Sequence, residues 1–382
     1  MELKFKPNCF IILVLLVLVT GCQGRPAIQN PDLDHYHYGK FANLHKPLYG
    51  YGYHQSELDE LQYLKPDEIE KKRYTFIPAH EPAKQINRTK NYDPAVFQKQ
   101  PDLATLKRPG NDIRITWLGH ACFLIQFPDE TSILTDPVLG EMDGAAGFTA
   151  DVFDADTFKR VSPSVVTPSQ LGFVDAVVIS HNHYDHLSFN TLDELEQNIH
   201  YIMPLGDERY FSSKYQHLIP MDWYTSRKIA DVEVTFVPAT HSSGRGIFDQ
   251  RESLWGGYIF RINGKSVYFA GDTGYSDLFK DIHEKYGDMD VCLMPISAYF
   301  FRPVHLAPED ALQAAEDLGC KTFIPWGYGT FILGHEHVHE PLRRLAEAQR
   351  RLQPSFAIQV LKMGGSWSLD KESGPQAAKL LK

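Results

Sequence analysis

Within six residues, the run His181-Asn182-His183-Tyr184-Asp185-His186 gathers three imidazoles and a carboxylate. It follows the apolar stretch Val174-Asp175-Ala176-Val177-Val178-Ile179-Ser180, which reads as a buried strand, so the cluster falls on the loop at that strand's end. Such a loop can fold several side chains back towards one point. Neutral imidazoles and a carboxylate are the donors that zinc and similar divalent ions prefer. His181 and His183, two residues apart, can share one ion, whereas Asp185 and His186 lie further round the turn and can reach a second. The bland alternative is a solvated histidine-rich loop, and the density of donors behind a buried strand argues against it.

Metal centres collect ligands from distant strand ends, and three further sites repeat the pattern of apolar run followed by ligand. Val234 to Thr240 ends at His241, Ser266 to Gly271 ends at Asp272, and Ser132 to Thr135 ends at Asp136. The elements that must position these residues can be read from alternation and turn residues. Strands are expected at 113–119, 122–127, 132–135, 174–180, 200–203, 232–238, 257–262, 266–270, 291–294, 322–324 and 356–361. Helices are expected at 307–318, with Pro308 in the first turn and Gly319 as the stop, and at 337–351. Two groups of strands with helices between them imply packed sheets covered on the outside, an α/β or α+β class.

The bulk numbers set limits. The chain has 382 residues, 43% of them hydrophobic, enough for a globular core, and no internal repeat is evident. Its formal charge of -10, with acidic residues dispersed, excludes a nucleic-acid partner as the default. The N-terminus stands apart. Lys4 and Lys6 precede an almost wholly apolar run from Cys9 to Val19, and Val19-Thr20-Gly21-Cys22 follows. That is the layout of a secretory signal. The run is short for a membrane span, and Val-Thr-Gly-Cys resembles a bacterial lipobox. The resemblance implies a signal peptide over 1–21 and lipidation of Cys22, giving an extracytoplasmic, membrane-anchored lipoprotein; Gln23 leans towards outer-membrane sorting. Residues 22–110, rich in Tyr, His, Pro and charge, read as a polar tether, parts of which can wrap on the core, and 111–375 as the domain that carries the chemistry. The run Asp34-His35-Tyr36-His37-Tyr38 belongs to that tether rather than to a metal site. Cys122, Cys292 and Cys320 sit in apolar contexts without close spacing and read as buried thiols, not a disulfide framework.

The order of Trp117-Leu118-Gly119-His120, Thr135-Asp136-Pro137, the HxHxDH run, Thr240-His241 and Gly271-Asp272-Thr273-Gly274 resembles the metallo-β-lactamase superfamily. Ser180 to His186, His305-x-x-Pro308-Glu309-x-Ala311, Gly329-Thr330-Phe331 and Glu336-His337 are similar to the N-acyl-phosphatidylethanolamine-hydrolysing phospholipase D branch and its bacterial relatives. The resemblance covers about residues 110 to 365. It implies an αββα sandwich with two zinc ions at one edge: His181, His183 and His241 on one, Asp185 and His186 on the other, Asp272 bridging, with a shared hydroxide as the attacking group. Asp136 is either an acceptor that orients a ligand histidine or a simple Asp-Pro turn.

One departure stands out. The family's last histidine ligand, on the strand before Gly-Thr-Phe, is missing from Phe323-Ile324-Pro325-Trp326-Gly327-Tyr328-Gly329-Thr330-Phe331. The second ion is therefore expected to be the weaker, with water, Tyr328 or one of His335, His337 and His339 as substitutes. By the same resemblance His305, just before a helix whose N-terminus favours an anion, faces the reacting phosphate, and Asp185 shares in catalysis. His120 is structural or substrate-facing, and Tyr299, Phe300 and Phe301 either line an acyl-chain groove or pack in the core. The expected activity is a zinc-dependent phosphodiesterase acting on N-acylphosphatidylethanolamine-like membrane lipids. The alternatives are hydrolysis of another ester such as a lactone, and a non-catalytic metal-binding lipoprotein.

Overall fold

The computed structural model describes residues 35–37, 40–45, 89, 91–108, 110–143, 158–195, 198–246, 248–334 and 336–369. The expected signal segment, Cys22 and His335 lie outside the described residues.

A small hairpin, β1 (Tyr36–His37) and β2 (Lys40–Phe41), precedes the two large sheets. The first sheet is made of β3 (Arg114–Gly119), β4 (Cys122–Gln126), β5 (Ser132–Thr135), β6 (Ala176–Val178), β7 (His200–Pro204), β8 (His217–Met221) and, at its other edge, β16 (Ser366–Ser368). The second contains β9 (Ser226–Ile229), β10 (Val232–Pro238), β11 (Gly256–Ile262), β12 (Lys265–Phe269), β13 (Val291–Pro295), β14 (Thr322–Trp326) and β15 (Ala357–Ile358). Both sheets follow one plan. In the first, β16-β3-β4-β5 pair antiparallel and β5-β6-β7-β8 parallel. In the second, β9-β10-β11-β12 pair antiparallel and β12-β13-β14-β15 parallel. The sheets face each other through wholly buried aromatic pairs, Phe123 against Phe269 and Phe127 against Phe260, with ring centroids 6.5 and 6.1 Å apart.

Helix α1 (Leu278–Tyr286) packs against α2 (Pro308–Asp317), and α2 packs on β13 and against α3 (Glu340–Leu352). A buried charge cluster ties α2 to α3: Arg302 Nη2 donates to Asp310 at 2.6 Å and Arg344 Nε to Glu309 at 2.8 Å. The result is an α/β sandwich of two mixed sheets with covering helices, the class the strand pattern implies.

Pairing sense explains why ligands gather at one edge. β3 and β5 are both antiparallel to β4, and β5 is parallel to β6; β10 and β12 are both antiparallel to β11. Thus β3, β5 and β6 end at one edge of the first sheet, and β10 and β12 at one edge of the second. The two edges are joined there, where Gly256 N donates to Ser180 O at 3.0 Å and Tyr258 Oη to Ile179 O at 2.8 Å.

One sequence expectation changes. Cys292 and Cys320 are paired as a disulfide, with Cα atoms 6.1 Å apart; β13 and the start of β14 are neighbours in the sheet, which spacing along the chain conceals. Cys122 is free and buried, and burial pushes its thiol up. The described parts of 22–110 also pack on the body. Phe41 is buried, and Tyr92 Oη donates to Gly329 O at 2.7 Å. His35 Nε2 lies 2.8 Å from Asp222 Oδ1, so its hydrogen bond goes to the body's side chain.

Candidate metal centre

Three imidazoles converge first. His181 Nε2 is 2.9 Å from His183 Nδ1, and His241 Nε2 is 3.3 Å from the same atom. The other ring nitrogens set the tautomers. His241 Nδ1 lies 3.0 Å from the Val304 carbonyl, which can only accept. Ser180 Oγ donates to Asp136 at 2.5 Å, so it accepts from His181 Nδ1 at 3.0 Å. His181 and His241 therefore each aim an Nε2 lone pair at one point. A single N–H on His183 cannot serve two opposed acceptors well, whereas a divalent cation suits all three. Burial, the largest influence, drives His181 and His241 well below the usual histidine range and His183 down to about 4. All three are neutral at pH 7, the form that ligates metal.

The second group surrounds His186. Its Nδ1 donates to Asp136 Oδ2 at 2.7 Å, and Asp136 Oδ1 accepts from Ser180 N at 2.7 Å. Of the two readings of Asp136, the structure gives the acceptor that orients a histidine. His186 Nε2 is buried without a hydrogen bond, 3.2 Å from Asp272 Oδ2 and 3.4 Å from Asp185 Oδ2. An orphaned ring nitrogen facing two carboxylates is a second place shaped for a cation. Burial opposes the charge on His186, yet Asp272, Asp185 and Asp136 together raise its proton affinity well above the usual value. Burial alone would raise Asp185 and Asp272; the charge of His186 beside them keeps both well below the carboxylate range.

Asp272 stands between the groups. Its Oδ2 is 3.2 Å from His186 Nε2, 3.9 Å from His241 Nε2 and 3.6 Å from His305 Nδ1. His181, His183, His241, Asp185, His186 and Asp272 are thus brought to one buried site from the ends of β6, β10 and β12. The donor set fits two divalent ions.

The remaining candidates divide. His305 stands at the rim, its ring 5.1 Å from that of His241. At the start of the helix that follows, Ala307 N donates to Asp310 Oδ2 at 3.1 Å. His120 is inside the site, its Nε2 3.1 Å from Asp185 Oδ2. The Tyr328 hydroxyl is engaged elsewhere. The ring packs on Trp117, and its Oη donates to Leu361 O at 2.9 Å. His337 stacks on His339, which abuts Tyr92 and Phe97, and neither joins a metal-type cluster among the described residues. Tyr299 is buried beneath Arg344, whose guanidinium lies 4.7 Å from its ring centre, while Phe301 is half exposed.

Supporting residues escaped the sequence reading. Asn182, the residue between the first two histidines, donates to buried Asp207 at 2.8 Å and accepts from Gly244 N at 2.6 Å, pinning the loop. Asn43 Nδ2 donates to His241 O at 2.9 Å and its Oδ1 accepts from His241 N at 3.1 Å. The position of Asn182 inside the motif was a usable signal; Asn43, 198 residues away from His241, had none.

Comparison with known proteins agrees with this geometry. A family model described as a beta-lactamase superfamily domain matches residues 131–328. An uncharacterized protein of Mycobacterium tuberculosis is 33% identical over 256 residues, 64% of this chain, and the match spans 66% of that relative's length. The N-acyl-phosphatidylethanolamine-hydrolyzing phospholipase D 1 of Caenorhabditis elegans is 29% identical over 274 residues, 66% of this chain and 74% of that protein. A solved structure described as a possible metal-dependent hydrolase from Veillonella parvula shares the fold, with a TM-score of 0.54 at 16% identity, covering 67% of this chain and 99% of that one. Fold, clustered donors and family model together make this chain a member of the metallo-β-lactamase superfamily and one of its metal-dependent hydrolases.

Proposed function

We propose that the protein is a zinc-dependent phosphodiesterase of phospholipase D type, acting on N-acylphosphatidylethanolamine-like lipids. The observation that carries the reading is the convergence of two donor groups on either side of Asp272. Similarity to the nematode phospholipase supports the substrate class. The chemistry that two such cations supply when bound is activation of water at neutral pH and neutralisation of charge building on phosphorus. The chain's own residues do the rest. Asp136 and the Val304 carbonyl hold His186 and His241 in ligand orientation. Asp185 contributes a carboxylate on the second-group side of the shared Asp272. His305, made neutral by burial, donates a hydrogen bond to a phosphate oxygen at the rim.

The same proposal includes the membrane. Lipidated Cys22 tethers the body outside the cytoplasm, beside its substrate. Pairing of Cys292 with Cys320 supports an oxidising compartment. Replacing Cys22→Ser is expected to move the protein from the membrane to the soluble fraction.

The test is to assay zinc-loaded full-length protein on vesicles containing N-acylphosphatidylethanolamine, and separately on lactones. Release of N-acylethanolamine and phosphatidic acid is expected. Turnover of lactones alone would move the activity to another ester. Bound zinc without hydrolysis of either would make the protein a metal binder only.

A further inference from the structure

β14 reaches the metal edge without a ligand. Its last residue is Trp326, whose indole packs edge-on to two imidazoles, with ring centroids 5.8 Å from His120 and 6.2 Å from His186. Gly327 follows and has no side chain to offer. The space beside Asp185 and His186 is filled from the opposite sheet by His120.

The way His120 is held suggests a purpose. It sits in the tight turn between β3 and β4 with φ of 48°, a left-handed conformation that side-chain-bearing residues adopt at a cost. Its backbone is clamped on both sides: His120 N donates to Thr330 Oγ1 at 2.8 Å, and Trp117 Nε1 donates to His120 O at 2.8 Å. Phe331 closes a third side, 5.5 Å away and nearly perpendicular. The ring is 3% exposed and its Nδ1 has no hydrogen-bond partner. Among the described residues the ring's sole polar contact is Nε2 to Asp185 Oδ2 at 3.1 Å. A strained, wedged imidazole with one nitrogen orphaned is poorly explained by packing alone. Donor atoms of His120, Asp185 and His186 lie within 4.8 Å of one another, as do those of His181, His183 and His241.

We propose that His120 is a metal ligand of the second site, completing a set of His120, Asp185, His186 and the shared Asp272. Each ion then has four protein donors: three imidazoles and Asp272 on one side, two imidazoles and two carboxylates on the other. The ligand absent from β14 is replaced from the β3–β4 turn. This rests on the metal-hydrolase reading above.

The test compares wild type with His120→Ala, His120→Gln and His120→Cys, measuring zinc stoichiometry and affinity on metal-free full-length protein and the visible and near-ultraviolet spectrum with cobalt(II). Glutamine keeps a hydrogen-bond donor for Asp185 but is a poor ligand. Two zinc ions in wild type, with the second weakened roughly a hundredfold in both H120A and H120Q, are expected. H120C should show a thiolate-to-cobalt charge-transfer band absent from wild type, a signal that a mere positioning role would not produce. Retention of the second ion by H120Q at wild-type affinity, or H120C without the band, overturns the assignment while leaving the metal-hydrolase reading intact. One ion in wild type, held equally by H120A, does the same. Failure of wild type to bind any zinc fails the underlying reading instead.

Discussion

The two halves of the metal centre solve one problem in opposite ways. The His181, His183 and His241 half is made of neutral rings whose proton affinity is suppressed by burial. The half around His186 is built from charge: three carboxylates surround one imidazole and keep it protonated when no metal is there. The first half waits with bare lone pairs; the second is neutralised by a proton that a metal must displace. Donor identity alone does not reveal this difference, because histidines occur in both halves. What decides it is where Asp136, Asp185 and Asp272 stand.

The comparison breaks most visibly at the shared residue. Asp272→Ala should weaken both ions and lower hydrolysis by roughly a thousandfold or more, since a Lewis acid supplies several kcal/mol. His183→Ala should remove only the ion of the neutral half; metal analysis of the two variants separates them, and equal losses would dissolve the distinction between halves. Proton linkage gives the next effect. The His186 proton must leave before the second ion binds, so affinity there should climb with pH, by about tenfold per pH unit, below its raised pKa. The neutral half should vary much less, because burial holds His183 down to about 4 and His181 and His241 well below the usual histidine range. Zinc titrations at several pH values would show one steeply and one weakly sloped site. Asp136→Asn, which weakens the acceptor for His186 Nδ1, should cost the second ion about 10–100-fold in affinity and leave the first unchanged. Smallest is Tyr328→Phe. It deletes the bond to Leu361 O and should lower stability by about 1–2 kcal/mol with metal content unaffected. Loss of an ion in Y328F would restore the phenol as a ligand.

The central strands were legible because they are largely apolar, and three of them, β6, β10 and β12, are each followed within three residues by a ligand-type side chain. The edges were not. β9 reads Ser-Arg-Lys-Ile and pairs only with β10, so solvent tolerates its polar face and the hydrophobic signal vanishes. β8 carries Pro220, and β16 is only three residues long. Helix α1 was missed: Leu278, Phe279 and Ile282 repeat at helical spacing and are buried, but its polar remainder masked them. In the site, residues that follow strands could be found by pattern. The facing of side chains could not: Tyr328 turns away and His120 turns in, a choice made by backbone dihedrals and sheet-to-sheet packing.

Gly271 has φ of +59°, and a methyl group there would stand 2.7 Å from both Ser180 Cβ and the Gly256 carbonyl. The segment carrying Asp272 therefore rests against the Gly256 main chain of β11 and against the Ser180 side chain beside His181, with no room for an added carbon. The spacing between the Asp272 segment and the His181 segment is thus governed like a machined spacer rather than a cushion. Substitutions deeper in the hydrophobic interior can loosen the protein yet leave that separation alone, while one added carbon at 271 would pry the donors apart.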